Sequence, residues 1–283
     1  MRPFYGSPAI LSLLFCGCLL FSCGCIGEPR EGGAHLIVVS IPPLATFVEA
    51  VGGDLVEVKI LLPPGADPHT FEPTPRDLVE VSRADLFVFA GSGLPFEERL
   101  KDRWKDLQPD LPQVNASRGI PLVDRDPHIW LSPQNAQQMV ETIREGLCTL
   151  DPSQCEQFSR RSEQYNDELE QLDLSLRSRL DPCSRKQFIV MHPAWGYFAR
   201  EYGLTQLAIE EEGKEASAPE LAHLIETARR EGIRVVIMEP QFRSREAEVL
   251  AQEINGTVVQ IDPLSRAYAE SLDQMAEAVT RRC

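Results

Sequence analysis

Ser153-Gln-Cys-Glu-Gln-Phe-Ser-Arg-Arg-Ser-Glu-Gln-Tyr-Asn-Asp-Glu-Leu-Glu-Gln-Leu-Asp-Leu-Ser-Leu-Arg-Ser-Arg-Leu180 contains no glycine and no proline. Phe158, Tyr165, Leu169, Leu172, Leu176 and Leu180 recur at three-, four- and seven-residue intervals. That is the period of one helical face. Ser153 stands three residues before Glu156, the spacing of a capping box, and Asp181-Pro182 ends the run. About 28 residues rising 1.5 Å each give a rod of roughly 40 Å, the width of a small domain.

Short apolar runs alternate with amphipathic stretches on both sides of this rod. Before it, residues 36–41, 56–62 and 85–90 read as strands and 43–51, 96–107 and 134–147 as helices. After it, residues 188–191, 235–238 and 258–261 read as strands and 219–231, 245–254 and 268–282 as helices. Such alternation specifies parallel α/β sheets. The expected fold is therefore α/β, two parallel-sheet lobes joined by a single long backbone helix. The expected divisions are a leader at 1–25, a tether at 26–35, an N-terminal lobe at 36–150, the linking helix at 151–182 and a C-terminal lobe at 183–283.

The leader differs in kind from the rest. Arg2 supplies a positive start, residues 9–21 are almost wholly apolar, and the run ends at Leu20-Phe-Ser-Cys23-Gly-Cys25. This is the layout of a signal peptide, too short to span a bilayer. A small residue before a cysteine resembles the lipobox of bacterial and archaeal lipoproteins. Cys23 or Cys25 is then the lipidated residue, and the chain is extracytoplasmic and anchored to the membrane. The formal net charge of −15 excludes a nucleic-acid partner, which demands an excess of Lys and Arg.

Four cysteines lie beyond the leader: Cys148, Cys155, Cys183 and Cys283. None forms a CxxC pair, which argues against a thiolate zinc site, and an even number in an exported chain argues for two disulfides. Topology pairs Cys148 with Cys155 at the outer pole of the first lobe. It pairs Cys183 with Cys283 at the outer pole of the second.

Three of the five histidines sit beside prolines at the ends of strand-like or loop segments: Asp67-Pro-His69, Asp126-Pro-His128 and Met191-His192-Pro193. Asp262, in Ile261-Asp262-Pro263, has the same setting. Ligands of open α/β sheets bind beyond the carboxyl ends of the strands. The four side chains are thus expected at the functional edge, two from each lobe, in loops that proline stiffens. Three neutral imidazoles and a carboxylate suit a four-coordinate Zn²⁺ ion, and Mn²⁺ if water joins. Glu239 follows a strand and is placed to support a ligating imidazole. His35, in the tether, and His223, inside a helix, read as solvated, as does the acidic run 210–212.

Leu62-Pro-Pro-Gly-Ala-Asp-Pro-His69-Thr-Phe-Glu-Pro-Thr-Pro75, Asp126-Pro-His128-Ile-Trp-Leu-Ser-Pro133, His192-Pro-Ala-Trp-Gly-Tyr-Phe198, Glu239-Pro-Gln-Phe242 and Ile261-Asp262-Pro-Leu264 together resemble the zinc/manganese solute-binding lipoproteins of ABC importers. The resemblance runs from Leu36 into the last helix. It implies a metal site in a cleft between the lobes, delivery of the ion to an ABC permease, and His69, His128, His192 and Asp262 as ligands. Histidine at 192, where manganese-selective members often carry glutamate, implies zinc. Pro193, Ser132 and Ser265 depart from the family pattern, and no histidine-rich loop separates the first two ligands. The expected form is a monomer and not an enzyme. The alternatives are a metal-dependent hydrolase, with three histidines holding a catalytic zinc and Asp262 as base, and a surface adhesin.

Overall fold

Two four-stranded parallel sheets hold the chain's apolar runs. The computed structural model describes residues 1, 33–107, 109–183, 187–211, 214–242 and 244–281. The expected leader with Cys23 and Cys25, and Cys283, lie outside these residues. Residues 34–283 form one compact unit.

In the first lobe β1 (His35–Val39) leads into α1 (Pro42–Gly52), then β2 (Val56–Ile60), α2 (Pro75–Val81), β3 (Leu86–Phe89), α3 (Pro95–Leu107) and β4 (Gln113–Asn115). The sheet order is β2-β1-β3-β4, parallel throughout, with Ile37 opposite Leu86. A short 3₁₀ turn at Ile129–Leu131 precedes α4 (Pro133–Leu150). Ser132 caps α4 by accepting from Asn135 N–H, and Pro133 occupies the first helical turn, where no hydrogen bond is lost.

The linking helix, α5, runs over Cys155–Leu180, 26 residues or about 39 Å. It starts later than the capping-box reading expects. Pro152 opens a 3₁₀ turn at Pro152–Gln154, and Ser153 donates its hydroxyl to Asp151 Oδ1 rather than capping a helix. The expected Cys148–Cys155 disulfide joins α4 to the first turn of α5. Phe158, Ser162, Leu169, Leu176 and Leu180 form the buried face of α5. That face packs on α1 and α4 of the first lobe.

The second lobe comprises β5 (Gln187–Val190), α6 (Gly196–Glu201), β6 (Thr205–Ala208), a hairpin of β7 (Glu210–Glu211) and β8 (Lys214–Glu215), α7 (Ala218–Glu231), β9 (Val235–Met238), α8 (Arg245–Glu253), β10 (Thr257–Gln260) and α9 (Tyr268–Thr280). Its sheet is β10-β9-β5-β6, again parallel. Side chains alternate between faces along a strand. Phe188, Val190 and Ile237 therefore join the main core, and Ile189, Met191, Val236 and Met238 join a second cluster under α7 and α8. Both faces being covered explains the unbroken apolar runs. Cys183 is disulfide-bonded.

The helix α5 also packs on α9, so it touches both lobes. The main core is continuous from Ile37 in the first lobe to Met275 in α9. Trp130, fully buried, donates Nε1–H to Pro263 O across the lobes at 2.8 Å, and Tyr268 donates its hydroxyl to Trp130 O at 2.7 Å. His35 is not a solvated tether residue. It opens β1, half-buried, with Asp151 3.3 Å and Asp85 4.0 Å from its ring nitrogens. Extending β1 by one residue brings it beside the end of α4. His223 is exposed, as expected.

Candidate metal centre

Each histidine reaches the site from a short, stiff loop. His69 follows β2 and lies in a segment bounded by Pro63 and Pro73. His128 precedes the 3₁₀ turn that feeds α4. His192 comes two residues after β5. Two of the loops share one local fold. In Asp67-Pro68-His69, Asp67 Oδ1 accepts from the His69 N–H at 2.9 Å. In Asp126-Pro127-His128, Asp126 Oδ1 accepts from the His128 N–H at 2.9 Å. An aspartate bonding the amide two residues on makes an Asx turn, which fixes the direction in which the third residue leaves the chain. Asp262-Pro263-Leu264 repeats it, with Asp262 Oδ1 accepting from the Leu264 N–H at 2.9 Å.

The three imidazoles converge. Ring centroids are 5.4 Å apart for His69 and His128, 5.3 Å for His128 and His192, and 4.8 Å for His69 and His192. One ring nitrogen from each lies within 4.8 Å of the others. A tetrahedral zinc with bonds of 2.0–2.1 Å needs donors roughly 3.4 Å apart, so modest contraction seats it. His69 Nε2 and both ring nitrogens of His192 are buried without a hydrogen-bond partner. Buried polar atoms are normally satisfied; a neutral imidazole has one lone-pair nitrogen, so a metal ion would satisfy one nitrogen on each ring and leave the protonated nitrogen of His192 to another acceptor.

Charge is arranged to match. Burial, then repulsion from His128 and His69, pushes the His192 imidazole down to about 3. Burial, then His128, also lowers His69. Both therefore stay neutral at ordinary pH, the form that donates a lone pair to a metal. Asp126 Oδ1 lies 2.7 Å from His128 Nδ1. A carboxylate only accepts, so Nδ1 carries the proton and Nε2 is the free donor. This is the carboxylate–histidine pairing common at metal sites.

The cavity between the rings measures about 20 Å³ and is lined by the three histidines with Asp67, Pro68, Glu239, Gln241, Phe242, Pro263 and Leu264. Glu239, immediately after β9, is 1% exposed, and no donor reaches either oxygen with hydrogen-bond geometry. Burial, with the nearby charges of Glu210 and Asp262, pushes its carboxyl up to about 8.

Asp262 does not join the converging group. Its Oδ1 accepts from Gln241 Nε2 at 2.9 Å as well as from Leu264 N–H. The acidic run is not wholly solvated. Glu210 is largely buried, with Oε1 3.6 Å from His192 Nδ1, because the β7–β8 hairpin carries it back to the sheet edge. Glu210, Gln241 and the two turn-forming aspartates were not among the expected site residues. Asp-Pro-X occurs five times, at Asp67, Asp126, Asp151, Asp181 and Asp262, and the twofold Asp-Pro-His form is the signal that marks Asp67 and Asp126. For Gln241 and Glu210 the sequence holds none.

The profile described as "ZnuA: Zinc-uptake complex component A periplasmic" matches residues 37–281. The chain is 30% identical to the high-affinity zinc uptake system protein ZnuA of Bacillus subtilis, across 91% of this chain and 89% of that one. It is 28% identical to the zinc-binding lipoprotein AdcA of Streptococcus pneumoniae, over 92% of this chain but 56% of AdcA. A crystal structure of ZnuA superposes with a TM-score of 0.84 at 39% identity, covering 88% of this chain and 98% of that one. With its two parallel-sheet lobes, connecting helix and interlobe histidines, the chain belongs to the family of periplasmic component A proteins of zinc-uptake complexes.

Proposed function

We propose that this protein is the extracytoplasmic solute-binding subunit of an ABC importer, capturing Zn²⁺ through His69, His128 and His192 and delivering it to a membrane permease. The observation that carries this reading is the convergence of three imidazoles, with His69 Nε2 and both ring nitrogens of His192 buried and without a hydrogen-bond partner. Nitrogen donors in a small site favour zinc. Manganese, which prefers oxygen donors and a larger coordination number, is the weaker cargo. Asp262 stands one hydrogen bond from the cavity, where it can supply a fourth ligand. Glu239 lines the cavity beside the imidazoles.

The size of the cavity speaks against a hydrolase. Pockets for organic substrates usually run to about 300–1,000 Å³. About 20 Å³ holds an ion or one water.

The proposal includes a lipid anchor at Cys23 or Cys25, a monomeric chain, and lobes divided at 36–150 and 183–283 by the 151–182 segment. Mass analysis of the mature N-terminus checks the anchor, which requires an acylated peptide beginning at one of those cysteines. Competition titration of the apoprotein tests the cargo. One zinc per chain is expected, bound at least tenfold more tightly than manganese. Equal affinity, or no saturable zinc site, overturns the reading.

A further inference from the structure

His128 belongs to the first lobe, but the loop that delivers it is gripped by the second. Asp126 N–H bonds to Val123 O at 3.0 Å, closing a turn whose central residues, Asp124 and Arg125, have positive φ, 54° and 59°. Glycine and asparagine normally fill such turns, and other residues persist there where the surroundings impose the conformation. The surroundings here are α6. Tyr197 accepts from Val123 N–H at 3.0 Å and donates its hydroxyl to Pro121 O at 3.3 Å. Arg200 donates to Asp124 Oδ2 at 2.9 Å.

Gly196, the first residue of α6, comes closest. Its φ is not positive, so space rather than backbone freedom is what its missing side chain provides. A β-carbon at this position would lie 2.3 Å from Asp126 Oδ2, far inside contact distance. The carboxylate has no freedom to swing aside alone. Its Oδ1 accepts from the His128 N–H at 2.9 Å and lies 2.7 Å from His128 Nδ1. Gly196 is held as firmly from its other side. Trp195 N–H donates to Gln206 Oε1 at 3.0 Å, and Gln206 Nε2 donates to Pro193 O at 3.3 Å. Those bonds tie the loop after His192 to β6. A continuous path of contacts therefore runs from the His192 loop through Gly196 and Asp126 to the His128 ring.

We propose that α6 is a positioning element that sets the His128 imidazole from the opposite lobe, and that Gly196 is the residue on which this depends. Its bare Cα leaves the place that the Asp126 carboxylate must occupy to hold the ring. The inference rests on the reading that His69, His128 and His192 bind the metal. It makes the geometry of a first-lobe ligand conditional on the second lobe being seated against it.

The test uses the full mature chain with zinc as the probe. Gly196→Ala is expected to weaken zinc binding about 10–100-fold, the loss typical when a group that orients a metal ligand is disturbed. Asp126→Ala removes the carboxylate and makes room for the added methyl. Introducing Gly196→Ala into that background should then cost less than about a further twofold. Nitrogen NMR of the imidazoles in the zinc-free chain gives a reading that general destabilisation does not move. His128 should be protonated at Nδ1 alone in the parent and should lose that single form in Gly196→Ala. Tyr197→Phe keeps the ring, loses both hydroxyl bonds to the loop and should weaken zinc binding about threefold or more. The proposal is overturned if Gly196→Ala leaves the His128 tautomer as in the parent. It is overturned equally if its loss of affinity is as large in the Asp126→Ala background, because the methyl then acts through the His192 loop. Should Gly196→Ala fail to fold, a Tyr197→Phe chain with the parent's affinity and tautomer overturns it. A parent chain that binds no zinc sinks the metal-site reading instead, while the imidazole spectra still decide the positioning one.

Discussion

At His192 both ring nitrogens are buried and unsatisfied, a cost to the folded chain that a metal bond on the proposed reading would relieve at one of them. Removing that ring should therefore do more than remove a contact. His192→Ala is expected to lower zinc affinity by more than about 100-fold. Asp126→Asn, which leaves all three imidazoles but weakens the acceptor fixing the His128 tautomer, should cost about 10–100-fold. Isothermal titration against a zinc chelator reads both. A larger loss in Asp126→Asn than in His192→Ala would reverse the roles given to them. The three imidazoles were legible in the sequence because each sits beside a proline at the end of an apolar or loop segment. Asp262 shared that setting, yet an identical setting does not fix which way a carboxylate turns. Its partner, Gln241, lies 21 residues away. Glu210 was illegible for a related reason. A run of glutamates has no apolar period to mark a face, and only the fold of the hairpin turns one inward.

Among the elements, α6 is short, and the period of six residues is too brief to be read against its neighbours. The edge strand β6 was missed in the same way, while α5, β5 and β9 were found because their patterns are long or wholly apolar. The end of α6 matters for stability. Glu201, whose side chain is 6% exposed, faces Arg177 at 3.3 Å and Asp173 from α5, the Ser132 cap of α4, and its neighbour Tyr202. Tyr202 in turn donates to Asp173 Oδ1 at 2.9 Å. Burial pushes Glu201 up to about 7 from an ordinary value of 4.5, outweighing Arg177 and the hydrogen bond from Ser132. The folded chain thus holds a proton that the unfolded chain has lost between those values. The stability this contributes is fully present below about pH 4.5 and is lost as pH rises through 7. The loss is at most about 1.4 kcal/mol per pH unit. Glu201→Gln removes the titration. The variant should gain on the parent as pH rises from 5 to 8, read as urea midpoints at each pH. A gap that stays constant across that range would show that Glu201 does not titrate there.

For the molecule as a whole, one core crosses both lobes, reinforced by Trp130–Pro263 and Tyr268–Trp130 and flanked by Tyr197, whose hydroxyl accepts from Val123 N–H at 3.0 Å. Two lobes were legible as two runs of βα alternation. Their fusion was not, because the residues that join them read simply as apolar. The fusion predicts a single cooperative transition. Calorimetry of the apoprotein should give one peak with matching calorimetric and van't Hoff enthalpies. Two separable peaks would mean that the lobes fold independently. Trp130→Ala, which empties a fully buried site at the seam, should cost about 3–5 kcal/mol.

The narrowness of the cavity also governs how quickly cargo can come and go. A divalent ion arrives wrapped in a shell of waters, and about 20 Å³ admits one of them at most. On the proposed reading, capture is an exchange in which each imidazole replaces a departing water, and the loss of the ion's shell is expected to set its speed. Departure meets the mirror image of this barrier. On the proposed reading, a cavity with room for one water at most leaves little space to rehydrate a bound ion, so an undisturbed complex is expected to dissociate slowly. On the proposed reading, unloading is expected to require that the loops of His69, His128 and His192 part, with the ion passing to a receiver that offers donors of its own.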